Sequence, residues 1–548
     1  MTDELSARYA DLLEGTYDCV DRIVLNGYHS LCYSAGGFRQ WWRSLMGSSE
    51  EQLDNAHLMR LAGRFSRRVR GFAKAHDIPV IDCRRGDRKH DIAEDYLAEQ
   101  AVGSGLFIIL VGRAVAPVWD VQRSSGGGIH LTKKLSYVNH YSFHIMDAQW
   151  GHITIKMAGH PPFGAQIILN GHEYVACQAR KRHLTFTKEG NCFTQIADAA
   201  HLAMVADTLS EARTVGRLVQ VCERWIYSAC LCFALGIEEQ ERTGFRYAYS
   251  VYQVEYSRNL LFHRGSQLEE VFQRMIDRTR ARLDVPKVRT LFGAKRRPHW
   301  HWKRQSPPRL EVVVETLAYD LTVFKVHFGN LTLKAYTKGE RVLRIEATAH
   351  NTQELGCGRV VTRFPQIVAR LHGMLERFMT TLDCVDVAFI GDQTLDQLPL
   401  PARLGKTRVG GVDLNDVRMR TALSAVLGLA PSPGGFSTAH FRAKVQAMTG
   451  LPDGDYTHRQ AAYDLKKLRA KNLIAKLGRS RRYELSPPDI RAVTALLVLR
   501  EHVIRPLLAG VQTPPCASKP TASTPIDEHY EHLRLAMHPL FQELGLAA

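Results

Sequence analysis

The chain has 548 residues, of which 45% are hydrophobic and 23% charged, and its formal net charge is +17. That length is too great for one hydrophobic core and predicts roughly three or four units, while no apolar run approaches the ~20 residues needed to span a bilayer, which argues against a membrane partner. The eleven cysteines, an odd number with no CxxC pair, argue against a disulfide framework and a cysteine zinc knuckle, and the positive charge makes a phosphate polyanion the leading partner through counterion release.

In chain order, the opening MTDELSARYADLLEG carries acidic residues and no apolar signal core, so a cytoplasmic location is expected. Residues 1–105 read as a helical, basic region. Leu58, Leu61, Phe65, Val69 and Phe72 mark one helix face, and Arg60, Arg64, Arg67, Arg68 and Arg70 lie on the other. Arg60 to Lys89 holds ten basic residues against three acidic, a candidate phosphate track; a solvated helix side with snorkelling stems is the competing reading. The paired tryptophans of GGFRQWW (Gly36 to Trp42) read as core. Leu106 to Val111, an apolar run between glycines, predicts a central strand. With strands at His152 to Met157 and Gln166 to Leu169, and a helix capped by Asn170, it outlines an α+β domain over 106–200. A helical connector, 201–247, follows.

Val251 to Phe262 reads as a strand, and Ser266 with Glu269 as a capping box opening an amphipathic helix. A basic loop, Lys287 to Arg304, has seven Lys/Arg and no acidic residue, with Arg296 and Arg297 at its centre. Strands at Glu311 to Val314, Leu321 to His327, Leu331 to Tyr336 and Val342 to Ala349 precede a second amphipathic helix through Leu382. The pattern over 248–397 is an α+β sandwich of ferredoxin-like flavour. A linker with a helix occupies 398–435. Beyond 436–510 the tail, 511–548, is Pro/Ser/Thr-rich and predicts disorder before a short helix.

The most informative stretch is YTHRQAAYDLKKLRAKNLIAKLGRSRRYELSP, Tyr456 to Pro487. Thr457 and Gln460 form a capping box, and Ala461, Leu465 and Leu468 give the helix a core face. Arg459, Lys466, Lys467 and Arg469 are left facing outward. After Asn472 the period falls to two, and a hairpin turns at Gly478-Arg479-Ser480-Arg481 before Arg482. Between Tyr456 and Leu485 there are nine Lys/Arg against two Asp/Glu. On these residues, 436–510 resembles the winged helix-turn-helix module of MarR-like regulators. The resemblance implies that the helix after Thr457 reads DNA and that Arg479, Arg481 and Arg482 touch phosphate or the minor groove. The expected fold class is therefore multidomain α+β: a helical N-terminal region, two mixed α+β domains, the second ferredoxin-like, and a C-terminal winged helix.

Three patterns bear on catalysis and metal binding. Arg344 and Glu346 share a strand face by alternation, Glu255 sits in VYQVEYS on the other side of the helix, and His299-Trp300-His301 has a His-hydrophobic-His spacing that can hold one ion. This layout resembles the replication-initiator domains of rolling-circle mobile elements, which implies His299, His301, Glu255 and Glu346 as catalytic candidates. The alternative is a cross-strand surface charge pair beside a basic aromatic loop. Second, His140, His144, His152, His160, His172 and His183 cluster in sequence, and His140, His144 and His172 are candidate ligands for a divalent metal, the one cofactor left open, with Asp147 or Glu173 completing the shell. Third, Asp82 and Asp120 follow strands where nuclease carboxylates often lie. No glycine motif for phosphate, nucleophile elbow or HExxH supports ATP use or serine hydrolysis. The sequence thus predicts a nucleic-acid-binding protein, with duplex DNA favoured over RNA and a homodimer compatible with the module. The alternatives are a processing enzyme of a mobile element and an RNA-binding assembly protein.

Overall fold

A computed structural model describes residues 4–47, 50–84, 86–124, 128–282, 309–317, 319–328, 330–386, 392–432, 434–450 and 454–505, with isolated positions between 525 and 539. The chain is multidomain α+β with a large mixed sheet. It divides into two compact units, one of Leu12–Leu268 with Asn330–Gly373, the other of Met1–Asp11, Glu269–Gly329 and Met374–Ala548.

The strands are β1 Leu13–Tyr28, β2 Val80–Asp82, β3 Gly105–Arg123, β4 Ile129–Asp147, β5 Gly151–Ala158, β6 Ala165–Asn170, β7 Phe186–Glu189, β8 Cys192–Ile196, β9 Ala248–Phe262, β10 Arg309–Leu317, β11 Tyr319–Phe328, β12 Leu331–Lys338 and β13 Val342–Ala349. In the first unit the sheet order is β12-β13-β9-β1-β6-β5-β4-β3-β2. Its pairings are antiparallel except that of β2 on β3, where Val80 stands beside Ile109. β7 and β8 form a separate hairpin. In the second unit β10 and β11 pair with each other.

Two expectations change here. The N-terminal hundred residues are not all helical: β1, sixteen residues long, lies inside the sheet, between β9 and β6. Its register slips between Val20 and Ile23, where Asp21 and Arg22 form a bulge, so period-two alternation is broken in the sequence. Ranges 106–200 and 248–397, read as separate domains, both supply strands to one sheet, because β1 pairs with β6 on one side and β9 on the other. Three expectations match the coordinates directly. Trp41 and Trp42 are fully buried in a helix, Ala35–Met46. The helix Asn55–Ala75 buries Leu58, Leu61, Phe65 and Val69, whereas Phe72, expected on the same face, is 38% exposed. The helix Gly171–Lys181 is capped by Asn170.

The C-terminal part of the second unit contains helices Val417–Leu429, Thr438–Thr449, His458–Ala470 and Pro487–Val498. A three-stranded sheet orders Phe436–Ser437, Arg482–Glu484 and Ala475–Lys476 across it. The box of Thr457 and Gln460 closes in both directions and starts the third helix. Ala461, Leu465 and Leu468 are fully buried. Asn472, at φ 54°, takes the left-handed conformation that turns the chain into the hairpin. The expected linker contains a small hairpin, Ala402–Leu404 on Thr407–Val409.

Candidate functional site

Alternation along β13 puts Arg344, Glu346 and Thr348 on one face of the sheet. Their opposite numbers on β9 are Asn259, Ser257 and Glu255, and on β12 they are Tyr336, Lys334 and Thr332. β1 continues the same face with Tyr17 beside Asn259 and Cys19 beside Ser257. A polar surface four strands wide results. Arg344, Ser257, Asn259, Thr332 and Thr348 have no exposure, and Glu346 is 4% exposed, whereas Glu255, Lys334 and Tyr336 are only partly buried.

The deep end is built around Asp21, which the β1 bulge turns inward. Helix Gly171–Lys181 comes down onto that bulge because residue 171 has no side chain: a Cβ there would lie 1.6 Å from the Val20 carbonyl oxygen. His172 follows immediately, and its Nδ1 faces Asp21 Oδ1 at 3.0 Å, off the line of an aligned hydrogen bond. Arg344 Nη2 donates to His172 Nε2 at 3.2 Å and to the Asn191 carbonyl at 2.6 Å, and its Nε donates to Asn259 Oδ1 at 2.7 Å. Ser257 Oγ donates to Asp21 Oδ1 at 2.9 Å. Burial alone would raise the Asp21 carboxyl, but Arg344 and then His172 hold it below the ordinary carboxylate range. Burial pushes His172 down to about 4 against the pull of Asp21, so the ring is neutral near pH 7.

The shallow end is a carboxyl pair. Glu346 accepts from Lys334 Nζ at 2.8 Å, Tyr336 OH at 2.8 Å and Thr348 Oγ1 at 2.7 Å. Burial would raise it, but Lys334 keeps it below its ordinary value. Glu255 accepts from Gln253 Nε2 at 2.8 Å. Burial and then the charge of Glu346 lift Glu255 to about 7. A carboxyl that titrates there can take or give a proton near neutral pH, beside an ammonium able to steady negative charge. Arg344 and Glu346 are therefore interior, and the surface charge-pair reading does not describe them.

Among the described residues, two groups of three or more side chains bring potential metal ligands within 4.8 Å of one another: Cys19, Asp21 and His172, and His90, Glu94 and His152. Neither group contains His140 or His144, so the expected trio of His140, His144 and His172 is not assembled. β4 holds the first two and the helix after β6 holds the third. The donors of the first group do not fit an ion. A guanidinium can only donate, so the contact from Arg344 leaves the proton of His172 on Nδ1, the atom that would have to ligate. His90 and Glu94 escaped the sequence reading. The signal was present as a His-x3-Glu spacing, which falls on one helix face.

No protein-family model, no curated protein and no solved structure matches this chain.

In the C-terminal module an open groove of about 480 Å³ is lined by Arg418, Thr457, Arg459, Gln460, Ala462, Tyr463 and Lys466. Arg459 is exposed, and Lys466, Lys467 and Arg469 are half-buried. Behind the groove Asp464 is buried; Arg418 donates to it at 2.8 and 2.9 Å and Tyr456 OH at 2.8 Å, which locks the helix in place. Arg479 and Arg481 are exposed at the hairpin tip. Arg482 is half-buried, and its Nη1 donates to the carbonyls of Gly434 and Gly435 at 3.0 and 2.9 Å, tying its strand to the turn before Phe436.

Elsewhere, Arg60, Arg67 and Arg68 are exposed. Arg64 is spent internally on Glu239 at 2.7 Å and the Ala234 carbonyl at 2.8 Å. Asp82 is paired with Arg70 at 2.8 Å and Asp120 with Lys134, so neither is a bare nuclease carboxylate. Arg296, Arg297, His299 and His301 lie outside the described residues.

Proposed function

We propose that this chain binds nucleic acid, duplex DNA in preference to RNA, through the helix His458–Ala470 and the hairpin that follows it. The carrying observation is the pairing of a basic groove, with Arg459 and Lys466 on a capped helix, and a hairpin tip that exposes Arg479 and Arg481. The order of helix, strand, helix, helix, strand, strand, and the strand order across the small sheet, resemble a winged helix-turn-helix. The resemblance to MarR-like regulators belongs to the same proposal. Exposed Arg60, Arg67 and Arg68 supply further positive charge in the other unit.

The test is a salt series of binding to matched duplex DNA, single-stranded DNA and structured RNA. Tightest binding to duplex, with log affinity falling linearly against log salt at ~0.9 per phosphate contact, is expected. Structured RNA winning the competition, or no binding to any of the three, overturns the reading.

A second reading, a nucleic-acid-processing enzyme, is favoured by the Glu255 and Glu346 pair, in which one carboxyl stays protonated up to about pH 7 beside another held ionised. Denaturing gels of the same mixtures, with and without magnesium, decide it: strand cleavage lost in Glu255→Gln supports the enzyme, and intact strands leave the binder.

A further inference from the structure

The first unit carries a second candidate site, away from the polar centre of β1, β9 and β13. Helix Lys89–Glu99 is seated on the sheet by Ala93, fully buried against Phe107, Ile108 and Leu110, with Ile92, Tyr96 and Leu97 packed around it. Tyr96 stacks on Phe107 with ring centres 6.0 Å apart, and Phe107 in turn touches the His152 ring at 5.4 Å. This packing fixes which side of the helix looks at β5. His90 and Glu94, four residues apart, share that side. His152 Nδ1 lies 3.2 Å from Glu94 Oε1, and His90 Nε2 lies 3.9 Å from the same oxygen.

We propose that His90, Glu94 and His152 bind a borderline divalent cation, zinc as first choice. Two imidazoles and one carboxylate form a donor set that selects zinc and its neighbours over magnesium or calcium, which prefer all-oxygen shells. Ligand atoms around a tetrahedral zinc at ~2.1 Å stand about 3.4 Å apart. The observed spacings of 3.2 and 3.9 Å bracket that value. His90 and Glu94 are 72% and 54% exposed, so an ion has a way in and the third ligand, His152 at 10%, anchors it from below.

The ring of His152 is already oriented. Its Nε2 lies 3.0 Å from Nδ1 of His144, which is buried at 1% exposure, and Thr154 Oγ1 lies 3.3 Å from that same Nδ1. Without an ion Nδ1 of His152 faces the acceptor Glu94 Oε1; an ion there would displace that proton, and Nε2–H could then donate to Nδ1 of His144, an outer partner of the kind that orients a metal-bound imidazole. Nearby Lys188 is engaged by Glu173 at 2.6 Å and does not fill the place of the cation. Three protein ligands leave a coordination position for water or for an incoming oxygen, as in hydrolytic zinc centres. This assignment is independent of DNA binding by the C-terminal module.

Cobalt(II) is the probe, titrated into the untagged, metal-stripped full chain and followed by its visible d–d absorption, with zinc competition and metal analysis afterwards. One ion per chain, displaced by zinc, is expected. His90→Ala and Glu94→Gln, both at exposed positions that leave the fold intact, each weaken it roughly tenfold or more. Three outcomes overturn the proposal: no saturable binding at micromolar cobalt, unchanged affinity in both variants, or a thiolate-to-cobalt charge-transfer band, which puts the ion on a cysteine instead.

Discussion

Glu255 and Glu346 share one ammonium, that of Lys334, which donates to Glu346 at 2.8 Å while Glu255 is left with the proton up to about pH 7. A carboxyl whose folded value is raised favours the native state at low pH. That contribution is complete below the unfolded value of 4.5 and is lost as pH rises through about 7. Its size is on the order of 3 kcal/mol. Glu255→Gln should remove this decline, so its stability advantage over the parent grows between about pH 5 and about pH 8. Urea unfolding midpoints across that range measure it.

His172 works in the opposite direction. Its folded value is depressed to about 4, so its contribution is present above the ordinary 6.5 and is lost as pH falls through about 4. An acid titration by circular dichroism should show the parent weakening over that window. His172→Asn, which carries no ionisable ring, should lose the slope there.

Arg344 is buried against Asp21, 3.7 Å away, and its bonds to Asn259 and Asn191 need a fork of donors. Arg344→Met should destabilise by about 3–5 kcal/mol because it strands a buried carboxylate. Arg344→Lys should also lose stability, since a single ammonium cannot reproduce the fork. The double variant Asp21→Asn with Arg344→Met should recover part of the loss, as seen in chemical denaturation.

In the C-terminal module the arginines separate by task. Arg479→Ala with Arg481→Ala should leave the melting temperature unchanged and lower the salt slope of DNA binding by about 2. Arg482→Ala should lower stability, because the Gly434 carbonyl loses its donor and the Gly435 carbonyl keeps only Ser432 Oγ. Thr457→Ala should cost about 1 kcal/mol through the lost helix cap, read by thermal melting.

Local signals in the sequence proved informative where the structure is local. The box of Thr457 and Gln460, the Asn170 cap and the Val251 to Phe262 strand depend on neighbours within a few residues, and each has its counterpart in the coordinates. β1 was missed because its bulge at Asp21 and Arg22 interrupts the alternation, and because Asp21, a charged residue, faces inward. The face shared by Arg344 and Glu346 was readable from spacing. Their burial was not, since Asp21 and His172, which compensate Arg344, stand far away along the chain. His90 and His152 meet only through the packing of Ala93 on Phe107, a contact no local pattern announces.

Because β1 pairs with β9, Leu13 with Phe262 and Tyr28 with Ala248, a strand made first must wait for one made much later. At about 5–20 residues per second, synthesis leaves β1 without that neighbour for on the order of ten to fifty seconds. During this interval Ile23, Val24 and Leu25, fully buried in the finished sheet, are open to any passing strand edge. Expression of this chain should therefore depend on chaperone supply and translation speed more than its final stability suggests, with truncations before β9 going to inclusion bodies.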